Sequence, residues 1–79
     1  MTNIEKYTQA FTECFEITDE EAKVLEYQGV EAWDSVGHMD LVASIEDAFD
    51  IMMEADDIID LSSYAKGMEI LTSKYGIEF

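Results

Sequence analysis

The stretch Trp33-Asp34-Ser35-Val36-Gly37-His38-Met39-Asp40-Leu41-Val42-Ala43-Ser44-Ile45-Glu46-Asp47-Ala48-Phe49 decides the fold. Leu41, Val42, Ile45 and Phe49 recur at helical spacing and make one apolar stripe. Asp40, Glu46, Asp47 and the following Asp50 fall mostly elsewhere and should face water. Asp34 or Ser35 suits the N-cap position, where a short polar side chain accepts a free backbone N–H. The pattern therefore predicts a helix from about Ser35 to Phe49, with a serine where loop becomes helix.

The flanking sequence extends the same pattern. Upstream, Ile4, Tyr7, Phe11, Cys14 and Phe15 share one face of a helix predicted from Ile4 to Phe15, and Thr2 with Glu5 fits a capping box at its start. A second capping signal stands at Thr18 and Glu21. The rest of the segment between Ile17 and Trp33 is weakly periodic and reads as a long loop with one helical turn and a bend near Gly29. Downstream, a short helix is expected from Glu54 to Asp60 with Ile58 facing inward. A last helix is expected from Ser63 to Tyr75, with Tyr64, Met68, Leu71 and Tyr75 as its stripe. Ser62 or Ser63 would cap its start, and Gly76 with Ile77 its end. The expectation is an all-α bundle of three main helices plus a short one, forming a single domain over residues 1–79.

Size and charge exclude several functions. A chain of 79 residues buries a small core. A deep catalytic pocket would consume much of it, which favours a carrier, binding or adaptor module that is not itself an enzyme. Nineteen acidic residues against four lysines give a net charge of −15. Nucleic-acid binding needs a cationic face to displace counterions, so DNA and RNA are excluded as partners. Anionic membranes are repelled in the same way. Partners carrying Lys and Arg patches are attracted. The same charge predicts a fold that gains stability from salt or magnesium. Cys14 is the sole cysteine, so no internal disulfide forms, and its place on the inner face marks a structural thiol. No stretch approaches the length of a membrane span, and no secretory signal is visible, so the expected setting is the cytoplasm.

Ser35 is where chemistry concentrates. A helix N-terminus carries free N–H groups and partial positive charge, and both stabilise an anion. A phosphodiester on Ser35 would be well placed there. On local physics alone, however, such a serine is an ordinary cap. A Ser35–His38 nucleophilic pair has no orienting third residue and no oxyanion site. The acidic stretch Glu54, Asp56, Asp57 and Asp60 lacks the glycine and terminal glutamate of an EF-hand loop, and Cys14 with His38 is no zinc set, so no metal site is expected. Tyr7, Phe11, Phe15, Tyr64 and Tyr75 are read as core.

The run Asp34-Ser35-Val36, followed by Met39, Leu41, Val42 and Ile45 through Phe49, resembles the attachment motif of acyl carrier proteins. Glu46-Asp47-Ala48-Phe49 stands where that family has Glu-Glu-x-Phe. The similarity continues through Met53, Asp56, Asp57, Leu61, Ser62, Ser63 and Tyr64 to Met68 and Leu71. It implies that Ser35 is esterified with 4′-phosphopantetheine from coenzyme A by a phosphopantetheinyl transferase using magnesium. The thiol of that arm would hold acyl or aminoacyl groups as thioesters for acyl-loading and acyl-transfer enzymes, in fatty-acid, polyketide or specialised pathways. It also implies a monomer that docks through its second main helix, with Val36, Met39 and Ala43 as the apolar part and Asp34, Asp40, Glu46 and Asp47 as the acidic part.

Several residues depart from the family pattern. Val36 replaces the usual leucine, Gly37-His38 replaces an acidic and a small polar residue, Trp33 precedes the motif, and Asp50 stands where many relatives have Gly. Tyr64 stands where the family often has Val, which would narrow the space for an acyl chain between the helices. The combination looks like a specialised free-standing bacterial carrier, and the residue pair around Ser35 is unlike that of peptidyl carriers. The alternative is an acidic adaptor that docks a basic partner through the same helix and leaves Ser35 without a role.

Overall fold

The first helix begins where its capping box requires. In a computed structural model of residues 1–79, Thr2 Oγ1 accepts the Glu5 N–H at 3.2 Å, and the Glu5 carboxylate accepts the Thr2 N–H at 2.9 Å. Helix α1 runs Asn3–Phe15. The same device at Thr18 and Glu21 starts α2, Asp19–Lys23, so the helical turn expected in the long loop is a complete five-residue helix. Helix α3 runs Ser35–Phe49, α4 Ala55–Asp60 and α5 Tyr64–Tyr75. There are five helices and no strand; one isolated antiparallel bridge pairs Glu26 with Ser63.

Aromatic packing organises the interior. Phe11, fully buried on α1, meets Tyr7 at 5.0 Å between ring centroids, Tyr64 at 5.2 Å and Trp33 at 5.6 Å. Phe15 stacks on Trp33 at 5.4 Å. Each such ring contributes on the order of 1.5–3 kcal/mol by leaving water. α1 packs most extensively against α3, through Leu41, Val42 and Ile45. The buried tyrosines are satisfied: Tyr7 Oη donates to the Tyr64 carbonyl at 2.7 Å. Thr8 Oγ1 gives its proton to the Ile4 carbonyl, so it accepts from Tyr64 Oη at 2.7 Å. Burial, with Tyr64 beside it, pushes the Tyr7 phenol far up from its ordinary value, so it stays neutral and donating.

Helix ends match the turn chemistry. Gly76 takes the left-handed conformation at φ 67°, and its N–H and that of Ile77 both reach the Leu71 carbonyl. The bend expected near Gly29 lies at Glu26–Gly29, where the Gly29 N–H meets the Glu26 carbonyl at 2.8 Å and Gln28 is left-handed.

Several expectations change. Ile4 lies at the rim, 39% exposed, because the interior beneath α1 is filled by Tyr7 and Phe11. Glu54 caps α4 rather than belonging to it, and contributes no side-chain bond there. Cys14 is half-buried and lies 3.3 Å from Ser44 Oγ. Asp57, one of the acidic residues between Glu54 and Asp60, is 1% exposed. Its carboxylate takes a 2.6 Å bond from Lys74 Nζ and another from Tyr75 Oη, while Tyr75 Oη accepts the Glu54 N–H at 2.8 Å. An Asp so placed ties α4 to the end of α5. The Lys74 hydrogen bond, then the Tyr75 one, hold its carboxyl below the ordinary range.

Candidate functional site

Asp34 is the N-cap of α3. Its Oδ1 accepts the Gly37 N–H at 2.9 Å, and its carbonyl accepts the His38 N–H at 2.8 Å. This leaves Ser35 as the first helical residue, with its side chain exposed and its own N–H and that of Val36 without partners in the chain. Two free N–H groups at the positive end of a 15-residue helix suit an anion carried on the serine oxygen.

Gly37 explains how loop and helix meet. A Cβ there would overlap the Ala32 carbonyl oxygen and stand 3.0 Å from its carbon. The backbone before Trp33 thus lies directly on the first turn of α3, which presses the Trp33 indole into the core at 0% exposure. Trp33 therefore belongs to the interior; an isolated aromatic in an aperiodic loop gives no sequence signal of that.

His38, near the start of α3, bridges two segments. Its Nδ1 accepts the Trp33 indole N–H at 2.9 Å, and its Nε2 lies 2.6 Å from the Ile58 carbonyl. An indole N–H only donates and a carbonyl only accepts, so the ring is neutral with its proton on Nε2. Neither nitrogen is free to take a proton from Ser35, which removes the Ser–His nucleophile on geometric grounds.

Beside Ser35 opens a mainly apolar groove of about 460 Å³, lined by Tyr27, Ser35, His38, Met39, Ile58, Ile59, Leu61 and Ser62. Its size falls in the range that holds small ligands. One wall comes from α3 and the other from α4 and the residues after it. Sequence periodicity does not show this groove: its α4 wall comes from a six-residue helix, and Tyr27 from the loop, brought in when its N–H bonds the Ser62 carbonyl at 2.8 Å.

The expected docking residues mostly share one surface. Val36 is 72% and Met39 53% exposed, and Asp34, Asp40, Ala43 and Asp47 are exposed too. Val36, Met39, Asp40, Ala43 and Asp47 lie three, four or seven apart along α3 and so line one side. Glu46 departs from that expectation. It is half-buried, and its Oε2 accepts the Met53 N–H at 2.8 Å, holding the connection that follows Asp50. The acidic residues near α4 do not converge, because Asp57 turns inward, and no group of three or more His, Cys, Asp or Glu side chains is arranged to hold a metal ion. No helix is long and apolar enough to cross a membrane. Comparison of the chain with models of known protein families, with curated proteins and with solved structures found no match.

Proposed function

We propose that the chain is an acyl carrier protein with an acyl-carrier-like bundle, and that Ser35 carries 4′-phosphopantetheine. The observation that carries this reading is the exposed Ser35 hydroxyl on the first turn of α3, at the mouth of an apolar groove. A transferase would join Ser35 Oγ to the phosphate of the arm, with loss of the serine proton and of the adenosine bisphosphate half of coenzyme A. The residues of this chain have three tasks. Asp34 fixes the helix start, the free N–H groups of Ser35 and Val36 stabilise the phosphodiester, and the groove offers an apolar bed for the arm or a short cargo. Acyl chemistry then belongs to partner enzymes, steered by the acidic surface toward basic docking patches.

The test is an intact-mass measurement after incubation with coenzyme A, magnesium and broad-specificity transferases. One added phosphopantetheine on the wild type and none on Ser35→Ala is the expected result. A wild-type mass unchanged by several transferases would favour the acidic adaptor, which uses exposed Val36 and Met39 among acids but needs no modified serine.

A further inference from the structure

α4 is a short wall. It has six residues, no side-chain bond at its N-cap, and last-turn carbonyls that have no further helix to pair with. Buried Met53 and Leu61 flank it. Between them, besides the Glu54 N–H held by Tyr75 Oη at 2.8 Å, two polar ties reach the body of α4. One is the Asp57 carboxylate, bonded to Lys74 and Tyr75. The other is the Ile58 carbonyl, bonded to His38 Nε2 at 2.6 Å. That carbonyl is one of the unpaired groups at the end of α4, and His38 supplies its donor from α3, one turn beyond Ser35. The imidazole cannot swing away, because the Trp33 indole holds Nδ1 edge to edge, the two rings lying within 13° of one plane with centroids 6.1 Å apart. Tyr27 meets its edge at 5.6 Å. Ile58 and Ile59, which follow the position of α4, form the groove wall facing Ser35.

We propose that His38 is a positioning residue: its Nε2–H sets where α4 stands and so fixes the groove beside Ser35. The link to Ser35 rests on the carrier reading, whereas the tie to α4 does not.

The experiment uses the whole apo chain and compares wild type, His38→Leu and His38→Gln by amide hydrogen exchange. Leucine removes both bonds; glutamine keeps an N–H that reaches toward the Ile58 carbonyl. Exchange of the Leu61 amide, which bonds the Asp57 carbonyl at 3.0 Å, should speed roughly five- to tenfold in His38→Leu and recover in His38→Gln, while α1 and α5 stay protected. Nitrogen NMR of the sole histidine should place its proton on Nε2. The same variants as transferase substrates should show a KM raised about fivefold for leucine with kcat little changed, and recovery with glutamine. Unchanged Leu61 exchange, equal acceleration in every helix, failure of glutamine to recover, or a proton on Nδ1 would each overturn the proposal. Faster Leu61 exchange with unchanged KM would overturn the link to Ser35. A wild type that no transferase modifies would instead overturn the carrier reading, leaving the tie to α4 judged by exchange and NMR alone.

Discussion

The Trp33 indole donates its N–H to Nδ1 of His38 at 2.9 Å, joining the last loop residue of the core to the helix that carries Ser35. The indole also stacks on Phe15 and meets Phe11 edge-on, so bonding and packing act on one side chain.

Replacing Trp33 with Phe should therefore cost more than lost volume. The smaller ring leaves a void and leaves Nδ1 of a half-buried His38 without a donor. The two effects sum to about 2 kcal/mol. Urea unfolding, with the slope held equal, measures it. A change under about 0.5 kcal/mol would show that water replaces the indole N–H without loss.

Gly37→Ala sets two rules against each other. Helix propensity alone favours Ala by up to about 1 kcal/mol. The added Cβ, however, would overlap the Ala32 carbonyl, a backbone group that no side-chain rotation relieves. The structure thus expects a loss of about 1–3 kcal/mol. A thermal melt decides it, and a higher melting temperature in Gly37→Ala would refute the close approach of the 32–33 backbone to α3.

How far the sequence carries the fold follows from the range of each signal. α3 is legible to the residue, because an N-cap and a stripe of Leu41, Val42 and Ile45 are local patterns. The capping boxes at Thr2 and Thr18 and the stop at Gly76 are local too. Asp57, Glu46 and His38 are legible only as polar residues on helices, because the groups they bond are contributed by distant elements: Lys74 and Tyr75, the Met53 N–H, and Trp33 with the Ile58 carbonyl. Ser35 stands out by its place at a helix start. The groove beside it does not, since its walls meet only when Tyr27 and α4 close on α3.

Asp57 predicts a specific acid response. Its carboxyl titrates below its ordinary value of 3.8, so the folded state favours the charged form. That stability is complete above the ordinary value and is lost as pH falls through the lower folded-state value. Most of the other acids are exposed, and their protonation relieves repulsion, so the raw melting curve mixes two effects. The difference between wild type and Asp57→Asn isolates one. It should be largest at neutral pH and shrink as pH drops below about 4. A difference that is constant across that window would mean the tie is a hydrogen bond indifferent to charge.

Asp50 ends α3 in the left-handed conformation, at φ 52°. The residue type best suited there is glycine, which has no Cβ to strain. Asp50→Gly should stabilise the fold by about 0.5–1 kcal/mol, raising the melting temperature by roughly 2–8 °C in a domain of this size. The neighbouring bond from the Met53 N–H to Glu46 should be unaffected. A melting temperature at or below the wild type would mean that the Asp50 side chain makes a contribution its exposed position does not reveal.

The last prediction separates docking from folding on one helix. Asp40 and Glu46 are both acids of α3, but Asp40 is exposed beside Val36 and Met39, whereas Glu46 is half-buried and holds the Met53 N–H. Reversing the charge at Asp40 should leave the circular dichroism melt nearly unchanged. It should slow association with a basic partner and flatten its salt dependence, because exposed charges act mainly on the encounter. Reversing it at Glu46 should lower the melting temperature, since a backbone donor loses its acceptor and a cation enters a half-buried place. Met39→Ala should act on dissociation, as apolar interface truncations mostly do. The comparison uses Asp40→Lys, Met39→Ala, Glu46→Lys and the distant control Glu78→Lys as transferase substrates at low and high salt. If Asp40→Lys is modified as fast as the control at low salt, this side of α3 is not the docking face, and its acids serve solubility alone.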